Sequence, residues 1–218
     1  MSLFITFEGP EGSGKTTQIQ RLAAWLREQG QTVLATREPG GTAIGDRVRA
    51  ILLDSDHREM QPQTEILLFS AARAQIVGQI IRPHLARGGV VLCDRFADST
   101  LAYQGYGRQL DLATLRLITA FATGGLQPDL TFCLDLPVDV GLQRKAAGAG
   151  EEWNRMEQET LAFHARVRRG YLTLAQAEPA RWRVLDATQP VQALQAAMRA
   201  EVAARLGLLA EPGQAQST

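Results

Sequence analysis

Gly9-Pro10-Glu11-Gly12-Ser13-Gly14-Lys15-Thr16 matches the phosphate-loop pattern G-x-x-x-x-G-K-[ST]. An apolar, β-prone segment (3–7) precedes it, and a segment with helical hydrophobic spacing (17–26) follows it. In that setting the loop amides and the positive end of the helix meet at one point, where they bind phosphate. Lys15 would then contact the β- and γ-phosphates, and the Thr16 hydroxyl would bind Mg²⁺. The alternative, a glycine turn that happens to hold a lysine, leaves the flanking strand and helix unexplained.

The composition indicates one core and no preference for a charged surface. The chain has 218 residues, 45% of them hydrophobic, and a formal net charge of zero. Neither nucleic-acid nor membrane binding through bulk charge is indicated, and no apolar run is long enough to cross a bilayer. The first strand begins without a charged leader, so we expect a cytoplasmic enzyme. Cys93 and Cys133 lie in apolar runs and are predicted to be buried thiols of a reducing compartment.

Short apolar segments alternate with helical segments along the chain. The predicted strands are 3–7, 32–36, 90–93, 130–134 and 182–185, and the predicted helices are 16–29, 44–53, 63–87, 112–122, 138–145, 157–177 and 191–206. This alternation predicts an α/β fold, a doubly wound parallel five-stranded sheet flanked by helices. We expect one domain over residues 1–210 and a frayed, polar tail over 211–218.

Charged residues follow two of the predicted strands, at the edge where such sheets bind ligands. Asp94 could bind Mg²⁺ or its waters, and Arg95 could offer a planar fork to a phosphate. A structural ion pair between the strand end and the loop is the alternative. Arg49, in the helix after the second strand, could also reach a phosphate, or it could be a solvated surface charge.

Three further segments have two readings each. Phe69 and Arg73 share one helix face, which suits a heteroaromatic base, although a core phenylalanine beside a surface arginine has the same spacing. Residues 98–107 are polar, aromatic and glycine-rich, which is typical of a loop that lines a pocket or of a mobile connection. Residues 144–156 are small, with basic residues at both ends, and form either a lid over phosphates or a plain flexible loop.

Together these segments resemble the bacterial type of thymidylate kinase, from about Phe4 to Leu206. The matching segments are the phosphate loop with Phe7, Glu8 and Thr17, then Thr36-Arg37-Glu38-Pro39-Gly40-Gly41-Thr42, Phe69-Ser70-Ala71-Ala72-Arg73, Asp94-Arg95-Phe96, Tyr103-Gln104-Gly105, Pro128-Asp129-Leu130, Leu134-Asp135 and Asp186-Ala187-Thr188-Gln189-Pro190. The resemblance implies a P-loop nucleoside monophosphate kinase fold. It also implies transfer of the γ-phosphoryl of ATP to dTMP in dTTP synthesis, and a homodimer formed through helix 63–87.

The resemblance implies a role for each site residue. The ATP site would comprise Gly9, Pro10, Glu11, Gly12, Ser13, Gly14, Lys15, Thr16 and Thr17, with Thr188, Gln189 and Pro190 passing the adenine. Thr16 and Asp94 would hold Mg²⁺. The dTMP site would comprise Glu11 at the 3′-hydroxyl, Phe69 stacked on thymine, Arg73 at O4, Arg49 and Arg95 at the phosphate, and Pro39, Thr100, Tyr103 and Gln104 around the base and sugar. The Tyr103 wall would disfavour a 2′-hydroxyl.

The family places its catalytic cation either in the phosphate loop or in the lid. The loop positions Pro10, Glu11, Gly12 and Ser13 hold no cation, so the resemblance implies the lid type. Arg144, Lys145 and Arg155 supply the positive charge of this lid, which is less arginine-rich than the family pattern. Lys15, Asp94, Arg95, Arg144 and Arg155 are therefore the candidate catalytic residues.

Two other functions fit parts of the sequence. A kinase for a nucleoside or another nucleoside monophosphate would share the phosphate loop, but Arg49 and Arg95 favour a phosphorylated acceptor, and Glu11 with Tyr103 favours deoxyribose. A nucleotide-dependent switch would hydrolyse ATP slowly whatever acceptor is added, and it would leave the pair of Phe69 and Arg73 without a purpose.

Overall fold

In the computed structural model, which describes residues 2–147 and 155–208, five strands form one sheet. They are β1 (Leu3–Glu8), β2 (Val33–Arg37), β3 (Val90–Asp94), β4 (Leu130–Asp135) and β5 (Trp182–Asp186). Their order is β2-β3-β1-β4-β5, and every neighbouring pair is parallel. The predicted doubly wound parallel sheet is confirmed, with each of its strands within one or two residues of the expected bounds.

Helices cover both faces of the sheet. They are α1 (Lys15–Glu28), α2 (Ala43–Leu53), α3 (Pro62–Ile76), α4 (Arg82–Ala86), α5 (Ala97–Thr100), α6 (Leu112–Thr123), α7 (Val138–Ala147), α8 (Leu161–Ala177) and α9 (Val191–Leu206). A π-helical segment, Val77–Ile81, joins α3 to α4, so the predicted helix 63–87 is one continuous run. The wider turn comes just before Pro83, which has no N–H to donate to the preceding turn.

The strands are apolar because both faces of the sheet are buried. All six residues of β1 are buried. Ile5 and Phe7 pack with α1 and α9 on one face, whereas Phe4 packs with Ile76 and Val91 on the other. The first strand therefore lies at the centre of the core, and its carboxyl end delivers the phosphate loop to the sheet edge.

Residues 98–107 are helical, so the expectation of a loop is wrong. They belong to α5 and to a second π-helical segment, Leu101–Gly107, most of which is buried against α8. The glycines serve close packing: a Cβ on Gly107 would lie 2.7 Å from the Phe163 ring, and a Cβ on Gly170 would lie 2.7 Å from Tyr106. A composition typical of turns here marks the contact between two helices.

The start of α8 also differs from the prediction. The helix was expected from residue 157 but begins at Leu161, because the Thr160 hydroxyl accepts a hydrogen bond from the Phe163 N–H at 3.2 Å and caps it. Residues 148–154 of the predicted lid and the predicted tail 211–218 lie outside the described residues. Within the described ranges, no helix is both long enough and apolar enough to cross a membrane.

Gly141 of α7 allows the phosphate loop to pack on that helix. A Cβ at Gly141 would collide with the Glu11 carbonyl oxygen, which is a backbone atom with little room to move. We expect Gly141→Ala to lower the free energy of unfolding by about 1–3 kcal/mol, the usual cost of overpacking. Gly78→Ala is the control, because no atom lies within 4 Å of its added Cβ; it should be neutral or stabilise by up to about 1 kcal/mol. Equal stabilities of the two variants in chemical denaturation would contradict this account.

Candidate active site

A cavity of about 980 Å³ opens at the carboxyl edge of the sheet, where the segments following β1, β2 and β3 meet. The predicted site residues that line it are Glu11, Gly12, Ser13, Gly14, Lys15, Thr16, Thr17, Pro39, Arg49, Phe69, Arg73, Asp94, Arg95, Thr100, Tyr103, Gln104 and Arg144. The fold therefore brings residues from seven elements and their loops to one space, whose volume is at the upper end of the range of about 300–1,000 Å³ that is typical of ligand pockets.

The phosphate loop has the backbone that its glycines permit. Gly9, Gly12 and Gly14 have φ of 131°, 69° and 86°, values that other residues rarely adopt. Lys15 folds back over the loop, and its Nζ donates to the Pro10 carbonyl at 3.0 Å and the Gly9 carbonyl at 3.3 Å. Burial and the neighbouring Arg95 lower the pKa of Lys15. The ammonium group thus lies inside the loop, where its positive charge would attract a bound anion.

Thr16 and Asp94 meet although 78 residues separate them. The Thr16 hydroxyl donates to Asp94 Oδ2 at 3.0 Å. A hydroxyl and a carboxylate are oxygen ligands of the kind that Mg²⁺ takes beside phosphates and water. Among the described residues, no group of three or more His, Cys, Asp or Glu side chains could hold a metal ion. The pair therefore fits a magnesium ion bound partly by substrate phosphates, and it does not form a closed protein cage.

Arg95 connects the phosphate loop to two other parts of the protein. Its φ is 67°, in the left-handed region, which is uncommon for a residue with a side chain. The guanidinium donates to Glu11 Oε1 at 2.6 Å, to the Gly9 carbonyl at 3.1 Å and to the Tyr171 hydroxyl at 2.9 Å. It also lies 4.9 Å from the centroid of the Tyr103 ring. This many contacts fix the position of the cation at the sheet edge.

Glu11 is held as a carboxylate inside the cavity. It accepts hydrogen bonds from Arg95 and, at 2.8 Å, from the Tyr103 hydroxyl. Burial alone would raise the pKa of Glu11, but Arg95, Lys15 and the Tyr103 hydroxyl together lower it to about 2. The side chain is therefore an ionised hydrogen-bond acceptor beside the phosphate loop.

Arg73 and Phe69 are arranged in the opposite way to a core phenylalanine beside a surface arginine. Phe69 is half-buried and lines the cavity, whereas Arg73 is 2% exposed. Arg73 forms a salt bridge with Glu38 at 2.7 Å and donates to the Thr100 hydroxyl at 2.9 Å and to the Phe96 carbonyl at 3.0 Å. The ring is thus available to a ligand, and the guanidinium is fixed at the inner wall of the cavity.

Arg49 lies on the phosphate side of the same cavity. Its Nη1 donates to the Pro39 carbonyl at 3.0 Å. Burial and the nearby Arg37 lower the pKa of Arg49, and Asp94 opposes this shift. Two arginines, Arg49 and Arg95, therefore line the cavity near Asp94.

The three lid cations have different positions. Arg144 lines the cavity and donates to the Ala187 carbonyl at 3.0 Å, and Lys145 lines it beside Glu157 at 3.4 Å. Arg155 does not line the cavity: its guanidinium pairs with Glu65 and donates to the Leu52 carbonyl at 3.0 Å. Of the two predicted catalytic lid residues, the structure therefore presents Arg144 to the cavity and holds Arg155 away from it.

The predicted adenine contacts lie beyond the lining residues. Thr188, Gln189 and Pro190 are exposed in the turn after β5. Thr188 and Gln189 bond to the Asp186 carboxylate, at 2.7 Å through the Thr188 hydroxyl and at 3.3 Å through the Gln189 amide. The turn is connected to the cavity through Ala187, whose carbonyl accepts a hydrogen bond from Arg144.

Sequence reasoning gave no role to three buried carboxylates, those of Glu8, Glu38 and Glu65. Glu8 accepts from the Phe96 N–H at 2.8 Å, the Ser99 hydroxyl at 2.6 Å and the Tyr171 hydroxyl at 2.8 Å. Burial, with some help from Asp98, raises the pKa of Glu8 to about 7. Its place directly before the phosphate loop, at the end of an apolar strand, was the available signal. Glu38 and Glu65 carried no local signal, because their partners are distant in sequence.

Comparison with known proteins places this geometry in one family. A family model described as "Thymidylate kinase" matches residues 7–198. A thymidylate kinase of Roseiflexus sp. (strain RS-1) is 54% identical over 228 aligned positions, which cover 100% of this chain and 97% of the relative. Thymidylate kinases of Geotalea uraniireducens (strain Rf4) and Deinococcus radiodurans are each 58% identical, over 94% and 93% of this chain and 99% and 97% of theirs.

A solved structure agrees with the sequence relatives. The crystal structure of thymidylate kinase from Ehrlichia chaffeensis matches with a TM-score of 0.70 at 36% identity. The match covers 84% of this chain and 92% of that chain. The sheet and its flanking helices are therefore shared with a protein of that name.

The raised pKa of Glu8 makes stability depend on pH in a predictable direction. The unfolded chain releases this proton near pH 4.5, whereas the folded protein keeps it up to about pH 7. The contribution of Glu8 to stability is therefore complete below pH 4.5 and is lost as the pH rises to 7. We expect Glu8→Gln to gain about 3 kcal/mol in free energy of unfolding relative to wild type across this interval. Denaturant titrations at several pH values measure this difference, and parallel stability curves would contradict it.

Proposed function

The chain belongs to the thymidylate kinase family, and from this premise we propose how its residues carry out the reaction of the family. The enzyme transfers the γ-phosphoryl group of ATP to dTMP and yields dTDP and ADP, a step in dTTP synthesis. One observation carries the assignment of roles. A single cavity contains the phosphate loop and the ring of Phe69, with Arg95 between them.

The donor nucleotide occupies the side of the phosphate loop. The amides of residues 9–17 surround the ATP phosphates, and Lys15 moves from its loop carbonyls to the phosphate oxygens, which are stronger acceptors for a cation. Thr16 and Asp94 hold Mg²⁺, which neutralises phosphate charge when it is bound. The adenine lies over the turn Thr188-Gln189-Pro190, whose backbone contacts it.

The acceptor nucleotide occupies the inner side. Phe69 stacks on thymine, and Arg73 donates to the base O4 from the inner wall. Glu11 accepts a hydrogen bond from the 3′-hydroxyl, and the neighbouring ring of Tyr103, whose hydroxyl donates to Glu11, disfavours a 2′-hydroxyl. The remaining contacts to base, sugar and phosphate come from Pro39, Arg49, Arg95, Thr100 and Gln104.

Catalysis consists of alignment and charge neutralisation. The phosphate of dTMP is already a nucleophile at neutral pH, so no strong general base is required. Lys15, Arg95 and a lid cation surround the transferring phosphoryl group and stabilise the charge that develops on it. We assign the lid role to Arg144, because it lines the cavity whereas Arg155 is bound to Glu65.

We also propose a cytoplasmic homodimer formed through α3 and α6. These helices pack against each other and expose Leu67, Leu117 and Phe121, of which 61%, 74% and 90% of the surface is accessible. Large apolar side chains clustered at this exposure favour an interface with a second copy of the chain. The surface lies on the outer side of the helix that carries Phe69 and Arg73, so dimerisation would support the dTMP site from behind.

The stacking role of Phe69 is tested by removing the ring. Phe69→Ala should raise the KM for dTMP by about tenfold, since stacking of a base on a ring contributes about 1–3 kcal/mol. The KM for MgATP should not change, because Phe69 is not part of the proposed ATP site. Phe69→Tyr keeps the ring and should keep the KM for dTMP. An unchanged KM for dTMP in the alanine variant would return Phe69 to a purely structural role.

The lid assignment is tested by comparing two arginines. Arg144→Ala should lower kcat on the order of 10²–10³-fold, as expected for a group that stabilises developing charge. Arg155→Ala should keep most of kcat but lower the free energy of unfolding by about 1–3 kcal/mol, because it removes one partner of the buried Glu65. Steady-state kinetics and denaturation of both variants decide the matter. A larger loss of kcat in Arg155→Ala would reverse the assignment.

The dimer surface is tested by placing charge on it. The double variant Leu67→Glu, Phe121→Glu should sediment as a monomer, whereas the wild type should sediment as a dimer. Leu161→Glu is the matched control, because Leu161 is 65% exposed and belongs to α8, not to α3 or α6. A monomeric wild type, or a double variant that stays dimeric, would contradict the proposal.

A further inference from the structure

Glu65 of α3 is a buried carboxylate that lies outside the cavity yet contacts a residue that lines it. Its side chain is 1% exposed. Oε1 accepts from Gln104 Nε2 at 2.8 Å and from Arg108 Nε at 2.7 Å. Oε2 accepts from Arg108 Nη2 at 2.8 Å and from the Arg155 guanidinium. One carboxylate therefore joins α3, the second π-helical segment and the residue that follows the undescribed part of the lid.

The contact with Glu65 determines which way the Gln104 amide points. An ionised carboxylate accepts hydrogen bonds and cannot donate them, so the NH₂ group of Gln104 must face it. Burial would raise the pKa of Glu65, but its bonds from Arg108 outweigh burial and lower it, so the carboxylate is ionised at neutral pH. No hydrogen bond from the described residues reaches Gln104 Oε1, although the side chain lines the cavity. The carbonyl oxygen is thus the amide atom left for a ligand.

We propose that Glu65 is a positioning residue for base selection: it fixes Gln104 with its carbonyl oxygen toward the base, so that the site accepts thymine and rejects cytosine. This inference rests on the proposed function, in which the base of dTMP lies between Phe69 and the inner wall. Gln104 touches the base, and Glu65 acts only through Gln104.

The chemistry of the two bases gives this orientation its consequence. Thymine presents an N3–H donor and an O4 acceptor, whereas cytosine presents an N3 acceptor and an N4 amino donor. A fixed carbonyl oxygen accepts the N3–H of thymine and faces the N3 lone pair of cytosine. Arg73, which only donates, likewise matches O4 and opposes the amino group. Two side chains held by two buried carboxylates, Glu65 and Glu38, thus read the same edge.

The interaction is tested by making the partner of Gln104 ambiguous. In Glu65→Gln the new amide can present either an oxygen or an NH₂ group, so Gln104 is free to turn over. The ratio of kcat/KM for dTMP to that for dCMP should fall by on the order of tenfold or more, the usual effect of mispairing a buried polar group. The change should lie mainly in the KM for the acceptor, with the KM for MgATP retained. A folded Glu65→Gln enzyme with the wild-type ratio would overturn the proposal.

The control variant is Glu159→Gln. Glu159 also pairs with Arg108, at 2.9 Å, but does not contact Gln104. This variant should keep the wild-type ratio of dTMP to dCMP. If it lowered the ratio as much as Glu65→Gln, the charge network and not the orientation of the amide would be responsible, and the proposal would fail.

A second variant keeps the proposal testable if Glu65→Gln does not fold. Glu65→Asp keeps the charge for Arg108 but withdraws the acceptor from Gln104, and it should lower the same ratio. An unchanged ratio in folded Glu65→Asp enzyme would overturn the proposal. A general loss of structure would lower kcat for both acceptors together and would leave the ratio intact. A wild-type enzyme with no preference for dTMP would overturn the proposed function as well, whereas a preference that survives both Glu65 variants would overturn this inference alone.

Discussion

The site depends on the contacts of one guanidinium, that of Arg95. It donates to the Gly9 carbonyl, to Glu11 and to Tyr171 of α8, and it lies over the Tyr103 ring. Its backbone adopts φ of 67°, a conformation that costs about 1–2 kcal/mol for a residue with a side chain. The hydrogen bond from the Arg95 backbone N–H to the Phe7 carbonyl, at 2.9 Å, and the ion pair with Glu11 offset that cost. The phosphate loop and the part of the cavity that Tyr103 lines are therefore joined through one side chain, which under the proposed function aligns the donor and acceptor phosphates.

Buried carboxylates extend the same principle through the rest of the cavity. Glu38 fixes Arg73 and Glu65 fixes Gln104, while Glu8 holds the backbone of Phe96 directly after Arg95. Glu38 and Glu65 each bind a side chain that lines the cavity, so under the proposed function recognition depends on side chains that no ligand touches. The chain has a formal net charge of zero, and its charged side chains act in the site through local ion pairs.

The sequence predicted those features that have a local signature. The phosphate loop, the parallel strands and the convergence of Asp94 on Thr16 follow from short patterns and from the rule that ligands bind at the carboxyl edge. The helical segment that contains Tyr103 was missed, because its glycines look like turn residues until Phe163 is packed against them. The sequence also did not predict that Arg73 is buried or that Arg155 is bound to Glu65. Both depend on a carboxylate far along the chain, 35 residues away for Glu38 and 90 for Glu65, and such pairings leave no periodic trace.

Under the proposed function, one cavity holds ATP beside a phosphorylated deoxythymidine, with Arg49 and Arg95 on the acceptor phosphate. The most direct test is the rate of ADP formation from MgATP with dTMP, thymidine, dUMP, dGMP or no acceptor. We expect rapid turnover with dTMP and little with thymidine, because thymidine lacks the 5′-phosphate, which is both the nucleophile and the group that the two arginines hold. Hydrolysis that does not depend on the acceptor, or a preference for thymidine over dTMP, would contradict it.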